Sequence, residues 1–316
     1  MKILCIGEAL IDMICTDKGS SLLNGQNFLK KPGGAPTNVA AAVAALGGQV
    51  ELAAKVGNDP FGKQLVQVME DFGVSTKYML LDDTHFTTFA FVSLMQDGER
   101  DFVFNRGADG LLSESDIEAI DLTDISIIHF GSATAFLPSP LQEAYLRLVE
   151  RASMQSIFIS FDPNYRHLLF KDNTVSFIKQ SWNLLNHCHY FKMSDEEAIL
   201  ITGTENLDAA VATLLKNTNA IFTITLGKDG TLLGFHGNTC LIPSIVVNTV
   251  DTTGAGDAFV GALLYQLANY KLEQILALEI NVWQKMVTNA NKAGARTCEW
   301  LGAMEAFKYL NNQIFD

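Results

Sequence analysis

The sequence predicts an α/β protein: a doubly wound, mostly parallel sheet with helices on both faces. Three observations predict it. Short apolar runs alternate with longer amphipathic stretches along most of the chain, the pattern of strand–helix–strand units. Beyond residue 120 the apolar runs are uninterrupted, as in ISIIHFG at 125–131, IFISFD at 157–162 and IFTITL at 221–226, so both faces of those strands are buried. One region departs from the alternation: residues 86–106 hold two strand runs joined at Asp97–Gly98, and Asp-Gly is strong hairpin chemistry.

In chain order, strands are expected at 2–7, 49–56, 88–95, 101–105, 125–131, 157–162, 189–193, 221–226, 231–235 and 240–246. Helices are expected at 35–46, 60–72, 139–153, 174–186, 207–217, 256–269, 273–296 and 303–311. No linker-like stretch, clear repeat or low-complexity segment divides the 316 residues, so one domain with a small β excursion is expected. The excursion reads either as a lid or as an ordinary edge hairpin.

Composition narrows the function. With 48% apolar and 18% charged residues, disorder, collagen and coiled coil are excluded as the main class. Against 35 Asp and Glu stand 22 Lys and Arg, a net charge of −13. Such a chain has no global field for nucleic acid or an anionic membrane, and neither is expected as a partner. A phosphate-bearing ligand would need local donors such as backbone N–H groups. Cys5, Cys15, Cys188, Cys240 and Cys298 are scattered and form no CxxC pair, which reads as reduced thiols in the cytoplasm and not a disulfide framework or zinc site. Glu8 and Asp12 interrupt the apolar N-terminus, and no run approaches the roughly 18 apolar residues of a membrane span, so neither an export signal nor a span is expected.

The most informative segment is VNTVDTTGAGDAFV at 247–260. An apolar run leads into Gly254-Ala255-Gly256-Asp257, and a helical pattern follows. Two glycines let the backbone turn tightly and present successive N–H groups, and the helix start adds its own unpaired donors. The result is an anion hole. Asp257, in the first turn beside it, is placed to take a proton from a hydroxyl attacking a bound phosphoryl group. The plain alternative is an aspartate capping a core helix behind a glycine turn. A second segment, Gly57 to Gln64, nearly spells a P-loop, but Gln64 replaces the hydroxyl that would meet Mg²⁺ and Pro60 removes a donor, so a structural turn is expected. No GxGxxG follows the first strand, which disfavours a dinucleotide-binding dehydrogenase.

DTTGAGDAF closely resembles the C-terminal signature of the PfkB, or ribokinase-like, sugar-kinase family. GEALIDMI resembles the family's first strand, whose aspartate, here Asp12, binds sugar hydroxyls. GGAPTNVA at 33–40 resembles the GGxxxN segment; Gly33 and Gly34 would let the sugar approach the backbone and Asn38 would hydrogen-bond it. VGNDPFG, FDPNYR, KMSDEE and TLGKDG follow in family order, so the resemblance spans essentially the whole chain. It implies a ribokinase-like fold, a β lid drawn from about residues 11–31 and 86–106, and ATP-dependent phosphorylation of a sugar hydroxyl, with Gly254, Ala255, Gly256 and Asp257 as the catalytic group.

On the nucleotide side the resemblance assigns Lys192, Ser194, Thr225, Gly227, Gly230 and Asn291, the last beside the adenine. Glu197, three residues after Ser194, would hold hydrated Mg²⁺; the same spacing is a capping box, and both roles can coexist. Asp251 and Thr253, with carbonyls of Thr297, Trp300 and Gly302, match a monovalent-cation site such as one for K⁺, or else a capped loop. FDPNYR and GERDFVFNRGAD most resemble fructokinases, with Arg106 and Arg166 reaching substrate or phosphoryl oxygens. The partners so implied are a small sugar, fructose first, and ATP. Kinases of 2-keto-3-deoxygluconate, ribose or a nucleoside are the near alternatives, and a non-catalytic sugar-binding relative is a further one. A homodimer is one open form of assembly.

Overall fold

The computed structural model describes residues 1–95 and 100–315. The expected Asp97–Gly98 turn lies outside the described residues. The strands are β1 (Lys2–Ile6), β2 (Leu10–Cys15), β3 (Phe28–Gly33), β4 (Val50–Gly57), β5 (Met79–Asp82), β6 (Phe89–Leu94), β7 (Arg100–Asn105), β8 (Ile125–Phe130), β9 (Phe158–Phe161), β10 (Tyr190–Ser194), β11 (Ile221–Thr225), β12 (Thr231–Phe235) and β13 (Asn238–Ile242). Among the described residues they form a nine-stranded sheet, ordered β13-β12-β11-β10-β9-β8-β1-β4-β5, and a four-stranded sheet, ordered β3-β2-β6-β7.

From β11 to β5 every pairing of the large sheet is parallel, and only the β11–β12 and β12–β13 pairings are antiparallel. The order reverses beside β1, which lies between β4 and β8. Ligands of open α/β sheets bind outside the carboxyl ends of the strands at such a reversal. Alternation along β1 divides the core between two faces. Ile3 and Cys5 join a cluster with Val39, Leu263 and Trp283; Leu4 and Ile6 join one with Ile128, Leu148 and Phe177. On the first face, helix Ala35–Ala45 packs on helix Ala255–Leu267. Their approach needs Gly261, where a β-carbon would lie 2.7 Å from the Ala42 β-carbon.

Three expectations are corrected. Asp12 lies on β2, not on the first strand, so it belongs to the smaller sheet. The stretch 273–296 is two helices, Leu272–Leu276 and Ile280–Thr297, with Glu279 extended between them. Strand β5 and the short helices Glu114–Glu118 and His167–Phe170 were not expected; each is too short for its period to register.

Candidate active site

The polypeptide enters helix Ala255–Leu267 through Gly254, which takes the left-handed conformation at φ 82°. A β-carbon there would lie 2.4 Å from that of Ala303, so glycine is required on both counts. No side chain caps this helix start among the described residues. The Ala255 N–H already donates to the Thr252 carbonyl at 3.2 Å, so the amides of Gly256 and Asp257 are the donors left in the first turn to receive an anion. Asp257 lies beside them, buried, and its Oδ2 accepts a hydrogen bond of 2.8 Å from Asn38 Nδ2. Burial pushes the Asp257 carboxyl up to about 6, against the lowering effects of Asn38 and the Arg166 guanidinium. Near neutral pH it is thus an ionised base of raised proton affinity.

Asn38 comes from helix Ala35–Ala45, and its buried Oδ1 has no partner among the described residues. A buried acceptor left open costs free energy unless a ligand donates to it. A sugar hydroxyl is such a donor. Asp12, on β2, is also pushed up to about 6 by burial, with Arg166 opposing. Gly33, which pairs with Leu10 on the neighbouring strand, lies diagonally from Asp12, and a β-carbon at Gly33 would lie 2.1 Å from Asp12 Oδ2. Gly34, at φ 106°, leaves room for the Glu8 carbonyl. Arg166 is exposed, with Nη2 on Asn164 Oδ1 at 3.3 Å, and its charge acts on both Asp12 and Asp257. Asp12, Gly33, Gly34, Asn38, Arg166 and Asp257 are therefore brought together.

Beneath the anion hole, Lys192 Nζ lies 3.1 Å from where a Gly256 β-carbon would be and 3.0 Å from Asp162 Oδ2. Burial works to lower the Lys192 ammonium, but Asp162 and Glu197 more than reverse it, so it stays a cation. Glu197 forms the capping box with Ser194: its Oε2 accepts the Ser194 N–H at 2.8 Å and its Oε1 the Tyr165 N–H at 2.7 Å. Burial and the charge of Asp162 push the Glu197 carboxyl up, against Lys192. Among the described residues no group of three or more His, Cys, Asp or Glu could hold a metal. Mg²⁺ usually keeps several waters and binds one or two carboxylates plus phosphates. Asp162 and Glu197 present that donor set next to the cation of Lys192.

Thr225 ends β11, with Oγ1 3.3 Å from the Met193 carbonyl, and Gly227 and Gly230 turn the chain at φ 58° and 106°. These lie at the carboxyl edge of the sheet as expected. Asn291 does not offer its amide to a base. Its Nδ2 is spent on the Ile242 and Pro243 carbonyls at 3.1 and 3.2 Å, and its Oδ1 accepts from Thr231 at 2.6 Å. It braces the wall of this edge from a buried position.

The loop before the anion hole is tied to the C-terminal loop. Asp251 Oδ1 accepts from Thr253 N and Oγ1 at 3.0 and 2.7 Å, and Oδ2 accepts the Gly302 N–H at 2.8 Å. Burial works to raise the Asp251 carboxyl, but these hydrogen bonds outweigh it and hold it below the usual range. The carbonyl of Thr297 accepts the Trp300 N–H at 3.3 Å, and Trp300 stacks on Tyr309 at 3.7 Å. Asp251, Thr253 and Gly302 thus meet, whereas the carbonyl of Thr297 is engaged in the helix-end turn.

The reading of Arg106 changes, and that of the turn from Gly57 to Gln64 holds. Arg106 is clamped: Nε lies 3.4 Å from Asp109 Oδ2, and Nη2 donates to the Thr134 carbonyl at 3.2 Å and Ser139 Oγ at 3.0 Å. Its fork serves the root of the smaller sheet, which sequence could not reveal because Asp109, Thr134 and Ser139 form no motif. The P-loop look-alike is a turn: Asp59 accepts from Phe61 N and Gly62 N, filling that helix start from within. Sequence reasoning passed over Glu8, Asp109 and Asp162, all buried acids. Only Asp162 left a signal, at the end of an apolar strand within FDPNYR.

The sequence profile of the pfkB family of carbohydrate kinases matches residues 1–306. A probable fructokinase of Arabidopsis thaliana, fructokinase-2, is 35% identical over 99% of this chain and 96% of its own length. The fructokinase of Xylella fastidiosa, solved with bound ATP, superposes with a TM-score of 0.87 at 28% identity over 99% of this chain and 96% of that one. The aminoimidazole riboside kinase of Salmonella enterica, solved with aminoimidazole riboside and an ATP analogue, gives 0.82 at 28% identity over 99% and 98%. The pairing of Asn38 with Asp257 over an uncapped, glycine-led helix start and this match along nearly the whole chain lead to one conclusion: the protein belongs to the pfkB family of carbohydrate kinases.

Proposed function

We propose that the protein transfers the γ-phosphoryl group of ATP to the 6-hydroxyl of D-fructose. The observation that carries the chemistry is Asp257, a buried base held by Asn38 at the mouth of an anion hole. In this reading Asp257 takes the proton of the sugar hydroxyl as its oxygen forms the new P–O bond. The bond to the β-phosphate oxygen breaks and ADP leaves. The amides of Gly254 and Gly256 and the cation of Lys192 stabilise the charge on the transferring group. Mg²⁺, when bound with the nucleotide, would neutralise phosphate charge, and Asp162 and Glu197 would hold it through water. Thr225, Gly227 and Gly230 line the nucleotide edge, which Asn291 braces. The Asp251–Thr253–Gly302 contact suits a monovalent cation behind the anion hole, such as K⁺. Five free cysteines fit a reducing compartment, and we assign the enzyme to the cytoplasm.

Fructose is favoured because the Arabidopsis and Xylella relatives, each matched over 99% of this chain, are fructokinases by name. A second reading, a ribosyl or nucleoside acceptor, is favoured by the likeness to the aminoimidazole riboside kinase. Asp12, Asn38 and Asp257 serve hydroxyls of either sugar. ATP consumption measured across ketoses, aldoses, sugar acids and nucleosides decides between them. A kcat/KM for fructose tenfold above the rest, about 1.4 kcal/mol in transition-state binding, is expected. A ribosyl compound tenfold above fructose overturns the fructose assignment, and inactivity on all overturns the kinase reading.

A further inference from the structure

Glu8 follows β1 and is almost completely buried. Its carboxylate ties two separate segments to its own. Oε1 accepts the Ala35 N–H at 3.2 Å and the Ala133 N–H at 3.3 Å, and Oε2 accepts from the Ser132 hydroxyl. Its carbonyl accepts from Thr37 Oγ1 at 3.0 Å. Ala35 and Thr37 lie in the first turn of the helix that carries Asn38, so two of these bonds fix where that helix begins.

The acceptor at Oε2 is obligatory. Ser132 Oγ already accepts the N–H groups of Thr134 and Ala135 at 3.2 and 3.0 Å, so its own proton must point away from them. Glu8 takes it. Thr134 Oγ1 lies 3.4 Å from Glu8 Oε2 and 2.9 Å from Asp109 Oδ2, and its single proton goes to the nearer acid. Asp109 in turn receives Thr88 Oγ1, and Thr88 Oγ1 accepts the Gly107 N–H at 2.8 Å. Thr88 and Gly107 lie at the two ends where β6 and β7 leave the core. An unbroken chain of contacts therefore runs from the root of the smaller sheet to the start of the Asn38 helix, with Glu8 at its centre.

We propose that Glu8 is a positioning residue for phosphoryl transfer: it sets Asn38 against Asp257 and couples that setting to the smaller sheet through Thr134 and Asp109. This rests on the roles of Asn38 and Asp257 given above. Glu8→Gln keeps the shape but turns an amide N–H₂ toward a hydroxyl whose lone pairs are taken. It is expected to lower kcat/KM for the sugar at least about tenfold while the KM for ATP changes less than about twofold. In an Asn38→Ala background the same change is expected to add less than about twofold, because residues acting through one another are not additive. Should Glu8→Gln fold poorly, Ser132→Ala removes the same donor and is expected to act in the same direction. Thr134→Val is expected to raise the KM for sugar with the KM for ATP unmoved. Additive losses in the double variant, an equal rise in the KM for ATP, or a fully active Glu8→Gln enzyme would overturn the proposal. A fully active Asn38→Ala or Asp257→Asn enzyme would instead overturn the site reading on which it rests.

Discussion

Lys192 Nζ lies 3.0 Å from Asp162 Oδ2, and both side chains are buried under the start of helix Ala255–Leu267. Removing one member of a buried pair leaves an uncompensated charge and costs about 3–5 kcal/mol. Lys192→Met should therefore lose that much in urea unfolding, because Asp162 and Glu197 remain. Adding Asp162→Asn should recover more than half of the loss. An unshifted midpoint in the single variant contradicts the pair.

The raised carboxyl of Asp257 ties activity and stability to pH in opposite directions. As a base it must be ionised, so kcat/KM should rise with pH through about 6. For stability, the folded form binds the proton more tightly than the unfolded one. The native state is thus favoured at low pH and loses that advantage as pH rises from the ordinary carboxyl range through about 6. Asp257→Asn should lower kcat by roughly 10²–10⁴ yet be as stable as the parent or more stable at pH 7.5, with the difference gone near pH 4. Arg166→Met, which removes a charge that lowers this carboxyl, should move the acid limb of the rate profile to higher pH. Rate profiles and melting curves across pH 4–8 test both; full turnover in folded Asp257→Asn would remove Asp257 as the base.

Glu197 holds two backbone N–H groups and lies within the field of Lys192 and Asp162. Glu197→Gln keeps one acceptor and should cost about 1 kcal/mol as a weakened cap. It should also raise the Mg²⁺ concentration needed for half-maximal rate. A stability loss with unchanged Mg²⁺ dependence would reduce Glu197 to its capping role.

The smaller sheet should close over the sugar. Phe102 and Phe104 share a face of β7, stacked at 6.3 Å, and the sheet carries Asp12 on β2. Closure would exclude water that competes for the phosphoryl group. Hydrogen exchange at 86–95 and 100–106 should slow when fructose and a non-hydrolysable ATP analogue bind together. Identical exchange at saturation would make the sheet a passive edge.

Where local pattern and tertiary packing agree, the sequence was readable to the residue: Pro60–Phe72 and Leu207–Asn217 coincide with the expected helices. Where packing decides, it was not. No Pro or Gly marks the break at 277–279, where Glu279 turns extended, and Ile275 and Trp283 both enter the core at a spacing of eight that one continuous helix would also place on a single face. The site divides in the same way. Asp257, the glycines and Asn38 stand in contiguous segments whose chemistry is local. Arg106 and Asn291 were misjudged because their partners are distant in sequence, and Glu8 because nothing in GEALID announces that its carboxylate is enclosed.

The packing of helix Ala35–Ala45 on helix Ala255–Leu267 also governs how the chain must be made. Nine of the eleven residues of the first helix are buried, and the Asn38–Asp257 contact spans 219 positions. At about 5–20 residues per second, a ribosome needs roughly 10–45 s to travel that distance. Throughout that interval the emerging alanine- and valine-rich helix has no native cover on that side. The second half of the chain thus supplies Asp257 and also the surface that takes this helix out of reach of aggregation.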